Sequence, residues 1–404
     1  MVVGMRGRLA IVFVVLIAVL LVWNYLRPVP AAAATLALAV ETTIPGTPPA
    51  LPWPAVGSGA VGVSGLGELA TSGDAQPIPA ASVTKVMTAL IVLTDRPLAA
   101  GESGPSITIT QQDVQAYESD RAQQQSVVLV RAGETLTEHQ ALEAMLIPSG
   151  NNIAETLARW DGGSIAAFVA KMNERAKALG LTRTTFADPA GANPGSTSVP
   201  SDLMALGMAA MHIPAFAQIV SLPSAQIPVA GAVFNVNAVL GKDGIVGIKT
   251  GSGFNLGANF LFAAQVQVNA HAVTIFGCVM GQPTLDAAFS AARALVRAMV
   301  PALSVKKILA RNQAVGSYTT AWGDRSDVLS TIDVLVVQWP GLVMRDRLDA
   351  PVLNIAKPVN PGAEAGKLHV LLGDYALDVP LVTASALYPA GRLWRVTRLP
   401  GQNS

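Results

Sequence analysis

The chain has 404 residues, of which 51% are hydrophobic and only 13% are charged, and its formal net charge is +1. This nearly neutral balance gives no surface for binding phosphate backbones, so no nucleic-acid partner is expected. The length allows two or three domains with separate cores. The single cysteine, Cys278, excludes an intrachain disulfide, so an exported domain would depend on core burial for its stability.

A hydrophobic segment near the N-terminus predicts a membrane contact. Arg6 and Arg8 precede a run from Leu9 to Leu26 that has no charged side chain. The length of this run lies between a signal-peptide core and a short transmembrane helix. The arginines keep the N-terminal side cytoplasmic and direct the remaining chain outward. Cleavage at the small residues 31–34 would release a secreted form, but the long apolar core favours a retained tether in residues 1–30 of an extracytoplasmic protein.

Composition divides the rest of the chain into three segments. Residues 31–54 are rich in proline and predict an extended linker. Residues 55–300 begin with a glycine-rich strand–turn–strand, continue with helical periodicity and then change to short apolar strands and a last helix. Residues 301–404 contain strands and turns, which predicts a separate spacer or binding module. The expected fold class is α/β, with an antiparallel sheet flanked by helices, plus a C-terminal all-β sandwich domain.

Local signals refine this outline. Thr137 is followed three residues later by Gln140, which is typical of a capping box at a helix N-terminus. The residues from Asn269 to His271 separate two apolar runs and predict a hairpin turn. The glycine spacing at residues 57–62 is that of a dinucleotide site, but prolines precede it and another glycine-rich piece follows. A dinucleotide-binding site is therefore excluded.

Ser82 and Lys85 lie three residues apart in an apolar helical segment, AASVTKVMTALIVL. On a helix these positions share a face, so the lysine could serve as the base for a serine nucleophile. The alternative is a surface lysine beside a capping serine. The spacing alone does not discriminate, because Ser304 and Lys307 repeat it in SVKKIL, where no other residue indicates chemistry.

Two further motifs follow in an informative order. The sequence PSGNN places Ser149 and Asn151 in a loop between two helical patterns, and such a loop presents side chains without burying them. The sequence IKTG places Lys249, Thr250 and Gly251 on a strand. The structural alternatives are a helix-capping turn for the first motif and a solvated strand-end charge for the second. The order S-x-x-K, S-x-N and K-T-G makes the three motifs a strong signal together.

These motifs resemble the signature of the penicillin-recognising serine acyl-enzymes. More closely, residues 80–300 resemble the low-molecular-mass D-alanyl-D-alanine carboxypeptidases of serine peptidase family S11, in the blocks ASVTKVMTAL, IPSGNN, FADPAGANPGSTSVPSDLMAL and GIKTG. The resemblance implies a DD-peptidase fold with a C-terminal β domain, and removal of the terminal D-alanine from peptidoglycan stem pentapeptides. Peptidoglycan stem peptides would be its substrates and β-lactam antibiotics its inhibitors, and no metal or organic cofactor would be required.

The resemblance also implies roles for the motif residues. Ser82 would be the acylated nucleophile, Lys85 its base, and Ser149 the proton relay to the leaving amine. Lys85 can accept a proton only when it is neutral, and burial together with the nearby cation Lys249 would lower its pKa toward neutrality.

Substrate binding would use the second and third motifs. The residues implied are Asn151, Lys249, Thr250 and Gly251, with the backbone N–H groups of Ser82 and Ser252 as the oxyanion hole. The chain departs from the family pattern after K-T-G, where Ser252, Gly253 and Phe254 replace a commonly polar triplet. The following hairpin carries no formal positive charge in AAQVQVNAHAV, so carboxylate recognition could differ from that of relatives.

Alternatives to the carboxypeptidase remain open at this level. A DD-endopeptidase or a weak serine β-lactamase would use the same residues, and a non-catalytic cell-wall-binding module would keep the motifs without activity. The glutamates between the second and third motifs, Glu155 and Glu174, lie in helical patterns, whereas class A β-lactamases place a deacylating glutamate in a loop. The four histidines are far apart in sequence, so neither a zinc site nor a Ser-His-Asp triad is suggested.

Overall fold

A computed structural model describes residues 2–73, 76–99, 101–253 and 257–398, with side chains from residue 7 onward. Phe254, which the sequence marks as a departure from the family pattern, lies outside the described residues. The chain divides into two compact units. The larger unit is Thr47–Ser304, and the smaller unit combines Met1–Gly46 with Val305–Ser404. The segment predicted as a linker, 31–54, is thus divided between the two units.

Helices and strands are numbered in chain order along the described residues. The helices are α1 Val2–Leu26, α2 Lys85–Asp95, α3 Gln111–Ala122, α4 Glu138–Leu146, α5 Asn151–Gly162, α6 Ile165–Ala178, α7 Pro200–Met211, α8 Pro214–Val220, α9 Leu285–Met299 and α10 Arg392–Thr397. The strands are β1 Ala34–Leu36, β2 Glu41–Thr43, β3 Ser58–Val63, β4 Gly67–Ser72, β5 Ile78–Pro79, β6 Ser106–Thr108, β7 Thr135–Thr137, β8 Thr197–Ser198, β9 Ser224–Ile227, β10 Gly231–Phe234, β11 Ile245–Gly253, β12 Gly257–Val268, β13 His271–Gln282, β14 Ser304–Leu309, β15 Ala314–Thr319, β16 Arg325–Ser330, β17 Val334–Gln338, β18 Val343–Asp349, β19 Glu364–Leu372 and β20 Tyr375–Thr383.

The larger unit is built on an antiparallel sheet with helices on both faces. Its strands lie in the order β11-β12-β13-β3-β4. Adjacent residues on a strand point to opposite faces of the sheet. Phe260 of β12 packs edge-to-face on Phe289 of α9, with ring centroids 5.0 Å apart. The next residue, Leu261, lies so close to Gly207 of α7 that a Cβ there would come within 3.0 Å of it. Helices α9 and α7 therefore cover opposite faces.

Helix α2 lies at the centre of the helical part of this unit. Its residues from Lys85 to Leu93 are all buried, as expected for a helix that is apolar on nearly every side. It contacts α4, α5, α6, α7 and α8. A 3₁₀ turn, Ala81–Thr84, precedes α2 directly. Ser82 is thereby held at the edge of a packed core.

The local signals in the sequence are confirmed. Thr137 caps α4 by accepting a hydrogen bond from the Gln140 N–H at 3.2 Å, and the Gln140 side chain accepts from the Thr137 N–H at 3.0 Å. Asn269 and Ala270 connect β12 to β13 in a tight turn, and both have positive φ. The glycine-rich segment forms the hairpin of β3 and β4.

The smaller unit carries the predicted C-terminal all-β region. Its main sheet has the order β1-β15-β16-β20-β19-β18-β2, and β14 pairs separately with β17. The edge strands β1 and β2 come from the segment that the sequence predicts as a linker. They pair with β15 and β18 respectively. The predicted fold class, a helix-flanked antiparallel sheet plus a C-terminal all-β domain, is confirmed.

Replacement of Phe289 by alanine is expected to destabilise the larger unit. The ring is buried between α9 and the sheet, and its loss leaves a cavity that costs about 3–5 kcal/mol in the free energy of unfolding. Guanidinium-induced unfolding followed by tryptophan fluorescence measures the change, with Phe289→Leu as a control that retains more of the side-chain volume. A midpoint for Phe289→Ala equal to that of the natural chain would contradict this packing.

Candidate active site

Ser82 and Lys85 form a hydrogen-bonded pair at the start of α2. The 3₁₀ turn passes directly into the helix, so both side chains stay on one face, and Lys85 Nζ lies 2.8 Å from Ser82 Oγ. Ser304 and Lys307 have the same spacing but lie on β14, where such positions point to opposite faces of the sheet. Lys307 instead pairs with Asp333 at 2.9 Å. Secondary structure therefore distinguishes the two pairs.

The second and third motifs meet the first one in space. Asn151, the first residue of α5, accepts a hydrogen bond from Lys85 Nζ on its Oδ1 at 2.6 Å. Lys249 on β11 donates to Ser149 Oγ at 3.0 Å. Ser149 does lie in a loop between α4 and α5, but the expectation that this loop leaves its side chains unburied is wrong. Ser149 is 4% exposed, and its hydrogen-bond partner Lys249 is 2% exposed.

Strand β11 passes directly beside Ser82. A Cβ at Gly251 would lie 2.8 Å from the Ala80 carbonyl oxygen and 3.2 Å from the Ser82 nitrogen, so this position requires glycine. Thr250 is buried next to it. Ser252 is exposed and lines, together with Ser82 and Asn151, a cavity of about 560 Å³. Hydrogen bonds and close contacts thus bring the residues of the three motifs together, and Ser82, Asn151 and Ser252 among them line this cavity.

Comparison with known proteins assigns the family. The family model described as D-alanyl-D-alanine carboxypeptidase, S11, matches residues 68–284, more than half of the chain. The chain belongs to this peptidase family. Among curated proteins, the D-alanyl-D-alanine carboxypeptidase DacB2 of Mycobacterium tuberculosis is 36% identical over 180 residues, which are 43% of this chain and 57% of that protein. The chain therefore spans little more than half the length of this curated relative.

Solved structures of DD-peptidases share the fold of this S11 chain. The crystal structure of the Streptomyces K15 DD-transpeptidase is similar with a TM-score of 0.54 and 26% identity, over 61% of this chain and 97% of that one. The D-alanyl-D-alanine carboxypeptidase DacD of Francisella tularensis is similar in fold with a TM-score of 0.60 and 18% identity, over 84% of this chain and 96% of that one.

The amine of Lys85 is completely buried in this S11 chain and has three hydrogen-bond partners. They are Ser82 Oγ at 2.8 Å, Asn151 Oδ1 at 2.6 Å and the carbonyl oxygen of Ala190 at 2.7 Å. Burial, and then the nearby ammonium of Lys249, hold the pKa of Lys85 well below its ordinary value. A neutral amine has two N–H donors and one lone pair. The two oxygens of Asn151 and Ala190 can only accept, so in the neutral form of Lys85 the lone pair would be directed to the Ser82 hydroxyl.

The loop between α6 and α7 supplies the carbonyl of Ala190. The hydroxyl of Thr88 on α2 donates to the carbonyl of Pro189 at 2.7 Å and fastens this loop to the helix. Gly191 has a φ of +76°, and a Cβ there would lie 1.8 Å from the carbonyl oxygen of Ala81. Sequence reasoning assigns this block to the family resemblance but names no site residue in it, because a backbone carbonyl leaves no side-chain signal.

Lys249 is the second buried amine of the site. It donates to Ser149 Oγ and to the carbonyl oxygen of Thr250, both at 3.0 Å. Burial lowers the pKa of Lys249 to about 7. This amine therefore changes between its charged and neutral forms near neutral pH, whereas an exposed lysine would stay charged.

Gln125 sets the orientation of Asn151 and was not identified from the sequence. Its Oε1 accepts a hydrogen bond from Asn151 Nδ2 at 2.6 Å, which leaves Asn151 Oδ1 turned toward Lys85. Gln125 belongs to a row of glutamines, residues 123–125, that lines the cavity. A run of glutamines carries no catalytic signature, so no sequence signal indicates this contact. Gln125 is thus connected to Lys85 through the amide of Asn151.

If Ser82 is the acylated nucleophile that the resemblance implies, removal of Gln125 is expected to slow its acylation. In Gln125→Ala the amide group of Asn151 is free to turn and to present an N–H to Lys85. That N–H would then bind the lone pair of Lys85, which could no longer accept the proton of Ser82. The loss of one such hydrogen bond corresponds to a rate about tenfold lower. Stopped-flow measurement with a fluorescent penicillin gives the acylation rate. Gln124→Ala, which changes the same cavity wall, is the control with an unchanged rate.

Gln125→Glu separates positioning from a structural effect. The carboxylate of the new glutamate still accepts the hydrogen bond from Asn151, so the acylation rate above neutral pH is expected to return to that of the natural chain. Its negative charge raises the pKa of Lys85 and moves the acid limb of the rate profile to higher pH. The role of Gln125 would be refuted by a natural rate in Gln125→Ala, or by a Gln125→Glu profile identical to that of Gln125→Ala.

Proposed function

We propose that the chain is a serine-type D-Ala-D-Ala carboxypeptidase that removes the terminal D-alanine from peptidoglycan stem pentapeptides through an acyl-enzyme on Ser82. The observation that carries this proposal is the buried amine of Lys85, which lies 2.8 Å from Ser82 Oγ and whose pKa is lowered by burial. A serine hydroxyl becomes an effective nucleophile when a positioned base takes its proton. Membership of the S11 family supports the same reaction.

In the proposed acylation, Lys85 Nζ takes the hydroxyl proton while Ser82 Oγ attacks the carbonyl carbon of the penultimate D-alanine. The backbone N–H groups of Ser82 and Ser252 stabilise the negative charge on the carbonyl oxygen. The proton then passes through the Ser149 hydroxyl to the leaving nitrogen as the C–N bond breaks, and D-alanine leaves. Water, deprotonated by Lys85, hydrolyses the ester and regenerates Ser82. No step requires a metal ion or an organic cofactor.

Recognition of a C-terminal carboxylate gives the proposed enzyme its exopeptidase character. The ammonium of Lys249 and the hydroxyl of Thr250 bind the carboxylate of the terminal D-alanine, with Gly251 allowing the substrate strand to pass close by. A charge-assisted bond of this kind is stronger in a buried site than in water. The second N–H of Asn151 Nδ2 binds the amide carbonyl on the acyl side of the scissile bond.

The position of the glutamates supports a peptidase over a class A β-lactamase. Between the second and third motifs, Glu155 lies in α5 and Glu174 lies in α6. Neither helix places a carboxylate in a loop where it could activate water for rapid deacylation. The acyl-enzyme formed with a penicillin is therefore expected to persist, so that β-lactams act as inhibitors.

We also propose that α1 tethers the protein to the membrane with the rest of the chain outside the cytoplasm. The stretch Gly7–Leu26 has 20 residues and is apolar enough to cross a bilayer. At about 1.5 Å per residue it spans roughly 30 Å, the thickness of the hydrocarbon core. Arg8, near the start of this stretch, favours a cytoplasmic N-terminus.

Labelling with a fluorescent penicillin tests the acyl-enzyme. We expect mass spectrometry to locate one adduct on Ser82, and Ser82→Ala to abolish it because the nucleophile is lost. Ser304→Ala is the matched control, since it removes the serine of the other S-x-x-K spacing and should leave labelling unchanged. The same preparation should release D-alanine from a peptide ending in D-Ala-D-Ala and not from one ending in D-Ala-L-Ala. An adduct on another residue, or none, would remove the assignment.

The pH dependence of acylation tests the two lysines separately. Lys85 must be neutral, so the rate falls as pH decreases through its lowered pKa. Lys249 must be charged to bind a carboxylate, so the rate with a carboxylate-bearing penicillin falls as pH rises above about 7. Arginine stays charged at all accessible pH values, so Lys249→Arg is expected to lose the alkaline fall. A penicillin ester, which lacks the carboxylate, is the control substrate. An alkaline fall that is unchanged in Lys249→Arg would contradict this role.

A further inference from the structure

The C-terminal ends of α1 and α10 cap each other. The guanidinium of Arg398 donates to the main-chain carbonyls of Asn24, Arg27 and Pro28 at 2.9, 2.6 and 2.9 Å. In return, Asn24 Nδ2 donates to the carbonyls of Val396 and Arg398 at 2.7 and 2.6 Å. The last carbonyls of a helix have no donor within the helix. Each side chain therefore satisfies acceptors at the end of the other helix.

The capping side chains are buried although their surroundings are open. Asn24 is 8% exposed and Arg398 is 3% exposed. Six residues beyond the end of α1, Ala32 is 3% exposed and exchanges two backbone hydrogen bonds with Leu353, at 2.9 and 2.8 Å. The small residues 31–34, where the sequence would allow cleavage, thus lie within the folded β domain. The end of α1 is a structural part of that domain.

Aromatic and basic side chains, together with one leucine, neighbour these caps in the sequence. We refer to this group as the collar, which consists of Trp23, Tyr25, Arg27, Arg392, Leu393, Trp394 and Arg395. The guanidinium of Arg27 lies 5.1 Å from the Trp23 ring, and that of Arg395 lies 5.8 Å from the Tyr25 ring. Leu393 is 78% exposed. The segments 23–28 and 388–398 contain no aspartate or glutamate. Such a mixture is typical of surfaces that lie in the headgroup layer of a membrane.

We propose that α1 is retained in the mature protein and that the collar binds the outer headgroup layer of a phospholipid bilayer. This inference rests on the proposed tether and does not depend on the acyl-enzyme. A helix that spans the bilayer from Gly7 to Leu26 places its last turn at the outer interface. Helix α10 is fastened to that turn, so it lies at the same depth. Leu393 then enters the boundary of the acyl chains, and Arg392 and Arg395 contact lipid phosphates.

A depth measurement on the full chain tests the collar. In a Cys278→Ala background, Leu393→Cys is labelled with a nitroxide, and the protein is reconstituted in nanodiscs of phosphatidylcholine and phosphatidylglycerol. Because Leu393 is exposed, this substitution leaves the domain packing intact. The control label replaces Leu371, an exposed leucine of β19. Compared with the control label at position 371, we expect the label at position 393 to collide several-fold less often with a water-soluble nickel chelate and several-fold more often with oxygen. Equal collision rates at positions 393 and 371 would refute the proposal that the collar binds the headgroup layer.

Two further measurements distinguish the parts of the proposal. The intact mass of the chain purified from cell membranes should include α1, and a mature chain that begins near residues 31–34 would refute its retention. Arg398→Ala removes the donors that cap α1, so the nitroxide at position 393 is expected to become more mobile and several-fold more accessible to nickel. Arg347→Ala, on an exposed part of β18, is the matched control. If the mobility and nickel accessibility of the nitroxide are unchanged in Arg398→Ala, the reciprocal cap is refuted.

Discussion

The burial of the Lys85 amine is the constraint on which the site of the larger unit depends. Burial favours the neutral form of the amine, but its two N–H groups must still be satisfied without water. Asn151 on α5 and the carbonyl of Ala190 supply the acceptors from two distant parts of the chain. In the neutral form the lone pair is then left for Ser82. The arrangement that allows the amine to be buried is therefore the same arrangement that would suit it to the proposed role of a base.

Close approach of main-chain segments makes this arrangement possible. Gly191 lies against the carbonyl of Ala81, and Gly251 lies against the carbonyl of Ala80, at distances where any side chain would overlap. Glycine costs conformational entropy on folding, but it lets backbones approach as no other residue does. Two segments in contact with the Ser82 turn are thus held by backbone proximity. Such a construction suits a site that is proposed to bind an oxyanion with backbone N–H groups.

The sequence predicts those site residues whose side-chain type carries the chemistry. Ser82, Lys85 and Lys249 could be identified because three motifs occur in a fixed order, and the structure brings them together. The carbonyl of Ala190 could not be identified, since every residue has a carbonyl and only the fold selects one. The contact of Gln125 with Asn151 depends on the path of the loop that follows α3. Nor could the burial of Ser149 be predicted, since its hydrogen-bond partner Lys249 is a hundred residues away in the sequence.

The segment 31–54 shows that contacts between distant parts of the chain also limit the prediction of the fold. Its prolines predict an extended linker, yet β1 and β2 form the edges of the β-domain sheet. Strands of three residues at an edge tolerate nearby prolines, since few of their N–H groups are needed for pairing. The partners are far away in sequence, as with Thr35 and Ser317, which are 282 residues apart. No local pattern could therefore indicate the pairing. Since both edges of this sheet are formed by residues that directly follow α1, the β domain can complete its sheet only together with the N-terminal part of the chain.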